Sequence, residues 1–211
     1  MSAGLRHPFC RELSTGAWIV STYEPFSVPF CNDGGPMLVI PGNLVSYWSG
    51  ADQYQPGVSY RPPPDDYERA CAVTEFPALL DVGPGRAIVL AESLEPTTLV
   101  SWLRLDLQPG VMLALDVDPR DQVDAERVLD ELRRAPEFGW EPAIPEYLIA
   151  SDKLVLMHAV NDGASVELPS GRWNFAAIGN YLPVSVLPGH YAVERRRLDI
   201  EDTLVLRLRP L

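Results

Sequence analysis

Asp116-Val117-Asp118-Pro119-Arg120-Asp121 places three carboxylates within six residues, a spacing that invites a metal ion. A calcium loop of the helix–loop–helix kind needs a glycine at its sixth position and a distant bidentate glutamate. Pro119 and Arg120 interrupt such a loop here, and a helix cap at Asp118 accounts for the aspartates, so no metal is expected. His7, His158 and His190 are far apart, and none has a second histidine at zinc-ligand spacing. Cys71 with a remote histidine is formally a nucleophilic pair. It falls, however, on the apolar side of a short helix, where a buried, inert thiol is expected. Ser170 sits in Pro-Ser-Gly-Arg, without the Gly-x-Ser-x-Gly elbow of hydrolases. Gly83-Pro84-Gly85-Arg86 is followed by no helix whose N-terminal amides could cradle a phosphate. The residues point to no enzyme, no cofactor and no catalytic set.

Charge is more informative. The formal net charge of −12 disfavours nucleic acid and anionic membranes and favours a basic protein partner, more weakly as salt rises. Asp116, Asp118, Asp121, Asp124, Glu126, Asp130 and Glu131 face only Arg120 and Arg127 across one window. Within it, Asp121, Asp124 and Glu131 lie away from an apolar stripe. That face is either a solvated helix side or a docking surface. Asp65-Asp66-Tyr67-Glu68 is a second acidic turn, and Asp65, Asp66 and Glu68 are the other candidate partner-binding residues. Arg195-Arg196-Arg197 is surrounded by Glu194, Asp199, Glu201 and Asp202, so local cross-strand pairing is the expected role, the alternative being a contact with a partner.

The elements that must position these residues are mostly strands. Ala17 to Tyr23, Leu79 to Val82, Ala87 to Leu90, Thr98 to Leu107, Val111 to Val117, Tyr147 to Ala150 and Leu154 to Val160 have the required composition. So do Val166 to Leu168, Trp173 to Ile178, Tyr191 to Arg195 and Thr203 to Leu208. Pro36 to Pro41 is apolar throughout and reads as a central strand covered on both faces. Asn43 to Trp48 reads as one helical turn with Leu44, Tyr47 and Trp48 on the same side. Asp65 caps a short helix with Tyr67, Ala70 and Cys71 inward. The longest helix is expected over 119–135, with Asp118 as cap, Pro119 at its first position, and an apolar stripe of Ala125, Val128, Leu129, Leu132 and Ala135. The expected fold class is α+β: a mostly antiparallel β-sheet, one main amphipathic helix at about 119–135, and one or two short helices.

A chain of 211 residues buries roughly 70% of its unfolded surface and builds a core without staples. Residues 1–15 lack periodicity and read as a flexible arm, leaving 16–211 as a single domain. Cys10, Cys31 and Cys71 are odd in number and form no Cys-x-x-Cys pair, as for reduced thiols in the cytoplasm. The first residues lack the continuous apolar core of a signal peptide, and no run is long enough to span a membrane.

One ordered set of motifs remains. Gly34-Gly35-Pro36-Met37-Leu38-Val39-Ile40-Pro41 precedes Trp48-Ser49-Gly50 and then Asp65-Asp66-Tyr67-Glu68-Arg69-Ala70-Cys71. This order resembles the immunity protein 21 family of bacterial polymorphic toxin systems, from Trp18-Ile19 to Val89-Leu90 and again from Leu187-Pro188-Gly189 onward. The stretch from Tyr23 to Asn32 departs from the pattern as an insertion. The resemblance implies a non-enzymatic antidote that binds a cognate toxin domain and neutralises it. The competing class is a ligand- or glycan-binding module built on Tyr54, Tyr60 and Trp140.

Overall fold

The computed structural model describes residues 22–26, 35–51, 65–91, 100–104, 111–115, 127–128, 130–132, 134, 138–170, 181–199 and 204–211. Two antiparallel sheets organise them. The strands are β1 Thr22–Phe26, β2 Met37–Pro41, β3 Ala78–Val82, β4 Gly85–Ala91, β5 Val100–Arg104, β6 Val111–Leu115, β7 Glu141–Ile149, β8 Lys153–His158, β9 Tyr181–Ser185, β10 Gly189–Arg197 and β11 Leu204–Pro210. One sheet runs β1-β5-β6-β11-β10-β7 and the other β3-β4-β2-β8-β9.

Strand alternation decides how the sheets pack. Met37 and Val39 of β2, Ile88 and Leu90 of β4, and Leu154 and Leu156 of β8 meet Tyr147, Ile149, Tyr191, Val193, Leu206 and Leu208 from the other sheet in one core. The intervening residues of the five-stranded sheet, Leu38, Ile40, Ala87, Val89, Val155 and Met157, face away into a second core. That core is closed by Leu44, Val45, Trp48, Ala70 and Ala159, and Tyr67 packs against it. The five-stranded sheet is therefore buried on both faces, and β2 and β8 are buried at every position. Apolar composition without alternation is what that position requires.

The expected main helix over 119–135 is corrected by the structure. Among the described residues the helical elements are α1 Asp66–Cys71 and short 3-10 turns at Val45–Tyr47 and Gly163–Ser165, and none reaches seven residues. Within that span, Arg127, Val128, Asp130, Glu131, Leu132 and Arg134 have helical backbone, and Val128 and Leu132 are buried. They belong to neither apolar core. The physical reason is that neither core depends on such a helix: one is closed by the opposing sheet and the other by α1 and the turns around Trp48 and Ala159. The fold is a two-sheet β architecture, with α1 and two 3-10 turns layered on one outer face.

Two strands exceed or escape their sequence signal. The sequence pattern begins a strand at Tyr147, whereas β7 starts at Glu141 and contains Pro142 and Pro145. β9 carries Pro183 and has no strand signal in the sequence. Both lie at the ends of their sheets. Edge positions tolerate a missing N–H, so proline there does not end a strand. Residues 166–168, expected as a strand, are not in one. The arm 1–15 and the strand expected over 173–178 lie outside the described residues.

Candidate partner-binding surface

The signature motifs converge on the outer face of the five-stranded sheet. Trp48 is fully buried there, and its Nε1 donates to the carbonyl of Ala159 at 2.9 Å. The carbonyl of Trp48 accepts from Gly163 N at 2.8 Å, joining the two 3-10 turns. Asp65 caps α1, its side chain accepting from Glu68 N at 2.6 Å. This satisfies a backbone donor that the first helical turn leaves open. Asp66 accepts from Ser49 N at 2.8 Å and from Ser49 Oγ at 3.2 Å, while Tyr67 N donates to Gly50 O at 3.1 Å. Arg69 Nη1 pairs with Asp66 at 2.7 Å, and its Nη2 donates to the carbonyl of Asp81 at 2.6 Å. One short helix is thus tied to the preceding turn and to the β3–β4 hairpin.

Behind α1, Gly35 allows a close approach. A Cβ there would stand 2.7 Å from His158 Cε1 and 2.9 Å from the Tyr67 hydroxyl. The Tyr67 and His158 rings stack with centroids 6.5 Å apart. His158 is 4% exposed, and its Nδ1 accepts from Val160 N at 3.2 Å, which places the proton on Nε2. Among the described residues Nε2 has no hydrogen-bond partner. Burial lowers the imidazole below its ordinary value, so the ring stays neutral.

The candidate acidic residues do not form one surface. Asp65, Asp66 and Glu68 lie together at α1, and of the three only Glu68 is exposed, the two aspartates being half-buried. Glu131 is half-buried and accepts from Arg196 Nη2 at 3.1 Å. Tyr191 and Val193 of β10 point into the inter-sheet core, so Arg196 is on the opposite side of that strand. Glu131 therefore belongs to the outer face of the six-stranded sheet, across the sandwich from α1. Asp121 and Asp124 lie outside the described residues.

The arginine run takes carboxylates distant in the chain, one of them across a strand pair as expected. Arg195 meets Glu141 of neighbouring β7 at 3.3 Å, and Arg196 takes Glu131. Glu194 instead holds Arg207 at 2.6 Å and Arg209 at 3.0 Å. Burial pushes the Glu194 carboxyl up, but hydrogen bonds and charge from Arg207 and Arg209 outweigh it and hold the group below its usual range. The Arg207 guanidinium also lies over the Trp140 ring, 4.3 Å from its centroid.

The residues weighed for catalysis are dispersed. His190 is exposed and its Nδ1 is 2.6 Å from Glu146 Oε1, far along the chain from buried His158. Cys71 is exposed, contrary to the expected inward thiol; within α1, Ala70 is the buried residue. A helix of six residues presents too narrow a stripe to bury both neighbours. No group of three or more His, Cys, Asp or Glu that could hold a metal occurs among the described residues, and the Asp116–Asp121 stretch lies outside them.

A family model for immunity protein 21 matches residues 30–203, most of the chain. The chain belongs to the immunity protein 21 family. No curated protein and no solved structure matches it. The family match contains Gly35, Trp48, Ser49, Gly50, Asp66 and Tyr67, the residues that carry the resemblance, and the structure gives each a packing or hydrogen-bonding role. In this immunity protein 21 chain the signature is thus a folding device that fixes α1 on the sheet. Tyr47 is a surface residue that sequence reasoning missed. The sequence groups it with Leu44 and Trp48, yet those two are buried and Tyr47 is 56% exposed. No local signal marks it: residues three apart in a 3-10 turn eclipse, which by itself would place Tyr47 with buried Leu44.

Proposed function

We propose that this chain is the antidote of a polymorphic toxin pair, binding a cognate toxin domain in the cytoplasm of the producing cell and blocking it by protein–protein contact. The observation that carries the proposal is the immunity protein 21 match over residues 30–203. Members of such a family are generally non-catalytic. The net charge of −12 favours a toxin with a basic surface. No helix of the described residues is long and apolar enough to cross a membrane.

Within this reading either the acidic α1 turn, with Asp65, Asp66 and Glu68, or the acidic set Asp121, Asp124 and Glu131 contributes to the contact. Complementary charge chiefly raises the association rate, so reversing these carboxylates slows association most at low salt. The test is co-expression: cells making the toxin encoded beside this gene survive when this chain is present. A glycan-binding alternative is weakened at Trp140, since Arg207 covers a ring face on which a sugar would stack. Tyr54 and Tyr60, its other proposed aromatics, lie outside the described residues.

A further inference from the structure

We infer that the face formed by Tyr47, α1 and the β3–β4 turn is the docking surface for the toxin domain, with the Tyr47 ring as anchor for a lysine- or arginine-bearing loop. The inference rests on the immunity reading and gives it a location. Tyr47 is 56% exposed although its neighbours Leu44, Val45 and Trp48 are buried. Its exposure is not looseness. The ring base lies against Gly83, where an added Cβ would stand 2.5 Å from Tyr47 Cγ and 2.7 Å from Cδ1. Gly83 has φ +52°, a conformation that disfavours any side chain, so the backbone itself keeps the space for the tyrosine.

The surroundings are equally fixed. Arg69 links Asp66 to the carbonyl of Asp81, Asp66 holds Ser49, and Ser49 and Asp81 are each two residues from the Tyr47–Gly83 contact. These contacts close a loop around one patch of surface. A rigid, amphipathic aromatic on such a frame loses little entropy on binding, and tyrosine is enriched among residues that dominate interface energy. The charge is complementary to a basic loop. Asp65, Asp66, Glu68 and Asp81 supply four carboxylates, against the guanidinium groups of Arg69 and of Arg86, which faces Asp81 across the hairpin. A cation placed over the ring gains further from its negative face.

The other exposed apolar set, Leu148, Leu187 and Leu211, fits a basic partner less well. Glu146, the carboxylate beside it, already contacts His190 Nδ1 at 2.6 Å. Leu211 also falls beyond the family-matched residues.

The test uses the full chain and the toxin domain encoded by the neighbouring gene, with binding followed by surface kinetics. Tyr47→Ala should weaken binding by about tenfold or more, as for an interface anchor, with an unchanged melting curve. Tyr47→Phe should bind like the wild type, because the ring is retained. The double variant Glu68→Lys/Asp81→Lys should slow association at low salt and not at high salt. Wild-type binding with an unimpaired Tyr47→Ala and an unimpaired double variant overturns this surface while leaving the immunity reading intact. The surface is equally overturned if Leu148→Ser/Leu187→Ser abolishes binding and Tyr47→Ala does not. Failure of the wild type itself to bind overturns both.

Discussion

The indole N–H of Trp48 donates to the carbonyl of Ala159 at 2.9 Å, joining residues 111 positions apart in the chain. Trp48 follows the 3-10 turn that leads out of β2, and Ala159 follows β8, so the bond locks the covering layer onto two paired strands of the buried sheet.

Truncating that side chain should be costly. Trp48→Ala is expected to destabilise the fold by about 3–5 kcal/mol, the range for large aromatic deletions in cores. Trp48→Phe keeps much of the packing but leaves a buried carbonyl unpaired, at about 1–3 kcal/mol. Urea denaturation followed by far-UV circular dichroism measures both; a Trp48→Phe variant as stable as the wild type would show the bond to be dispensable.

Acid sensitivity should come in two windows. The folded His158 imidazole is lowered by burial, so the unfolded chain takes up that proton first. The sign is therefore a loss of stability as pH falls below the ordinary histidine value of 6.5, continuing down to the folded value. Glu194 is also lowered in the folded state, so its contribution is present above the ordinary value of 4.5 and is lost at more acid pH. Stability against urea, followed from neutral pH through both of these windows, should show both declines. His158→Gln should flatten the first and leave the second; an unchanged slope in the histidine window in that variant would assign the titration to another group.

Cys71 should be labelled by a maleimide in the native protein, because its side chain is exposed at the end of α1. Peptide mapping after brief labelling, compared with Cys71→Ser, reads this directly. Protection of Cys71 until denaturant is added would place the thiol inside after all.

Much of the sheet was legible, for a physical reason. β2, β4, β8 and β11 are runs of branched and aliphatic residues that no exposed element carries, and the Gly83-Pro84 turn marks its own hairpin. The first part of edge strand β7 and all of β9 were illegible because their prolines are breakers in a central strand and harmless at an edge. The helix expected over 119–135 rested on local apolar spacing, which reports amphipathicity but not which elements close the cores. At the candidate surface, the cap at Asp65 could be read from its sequence. The exposure of Tyr47 could not, since it depends on Gly83, a distant residue brought beneath the ring by the fold.

The central claim is that this chain neutralises a toxin by holding it. The most direct measurement mixes the purified chain with the purified toxin domain encoded beside it and follows toxin activity and co-elution together as the chain is titrated in. The account predicts one stoichiometric complex on size exclusion, with activity falling to zero as the complex fills. Full toxin activity at saturating chain, or inhibition without a co-eluting complex, would contradict it.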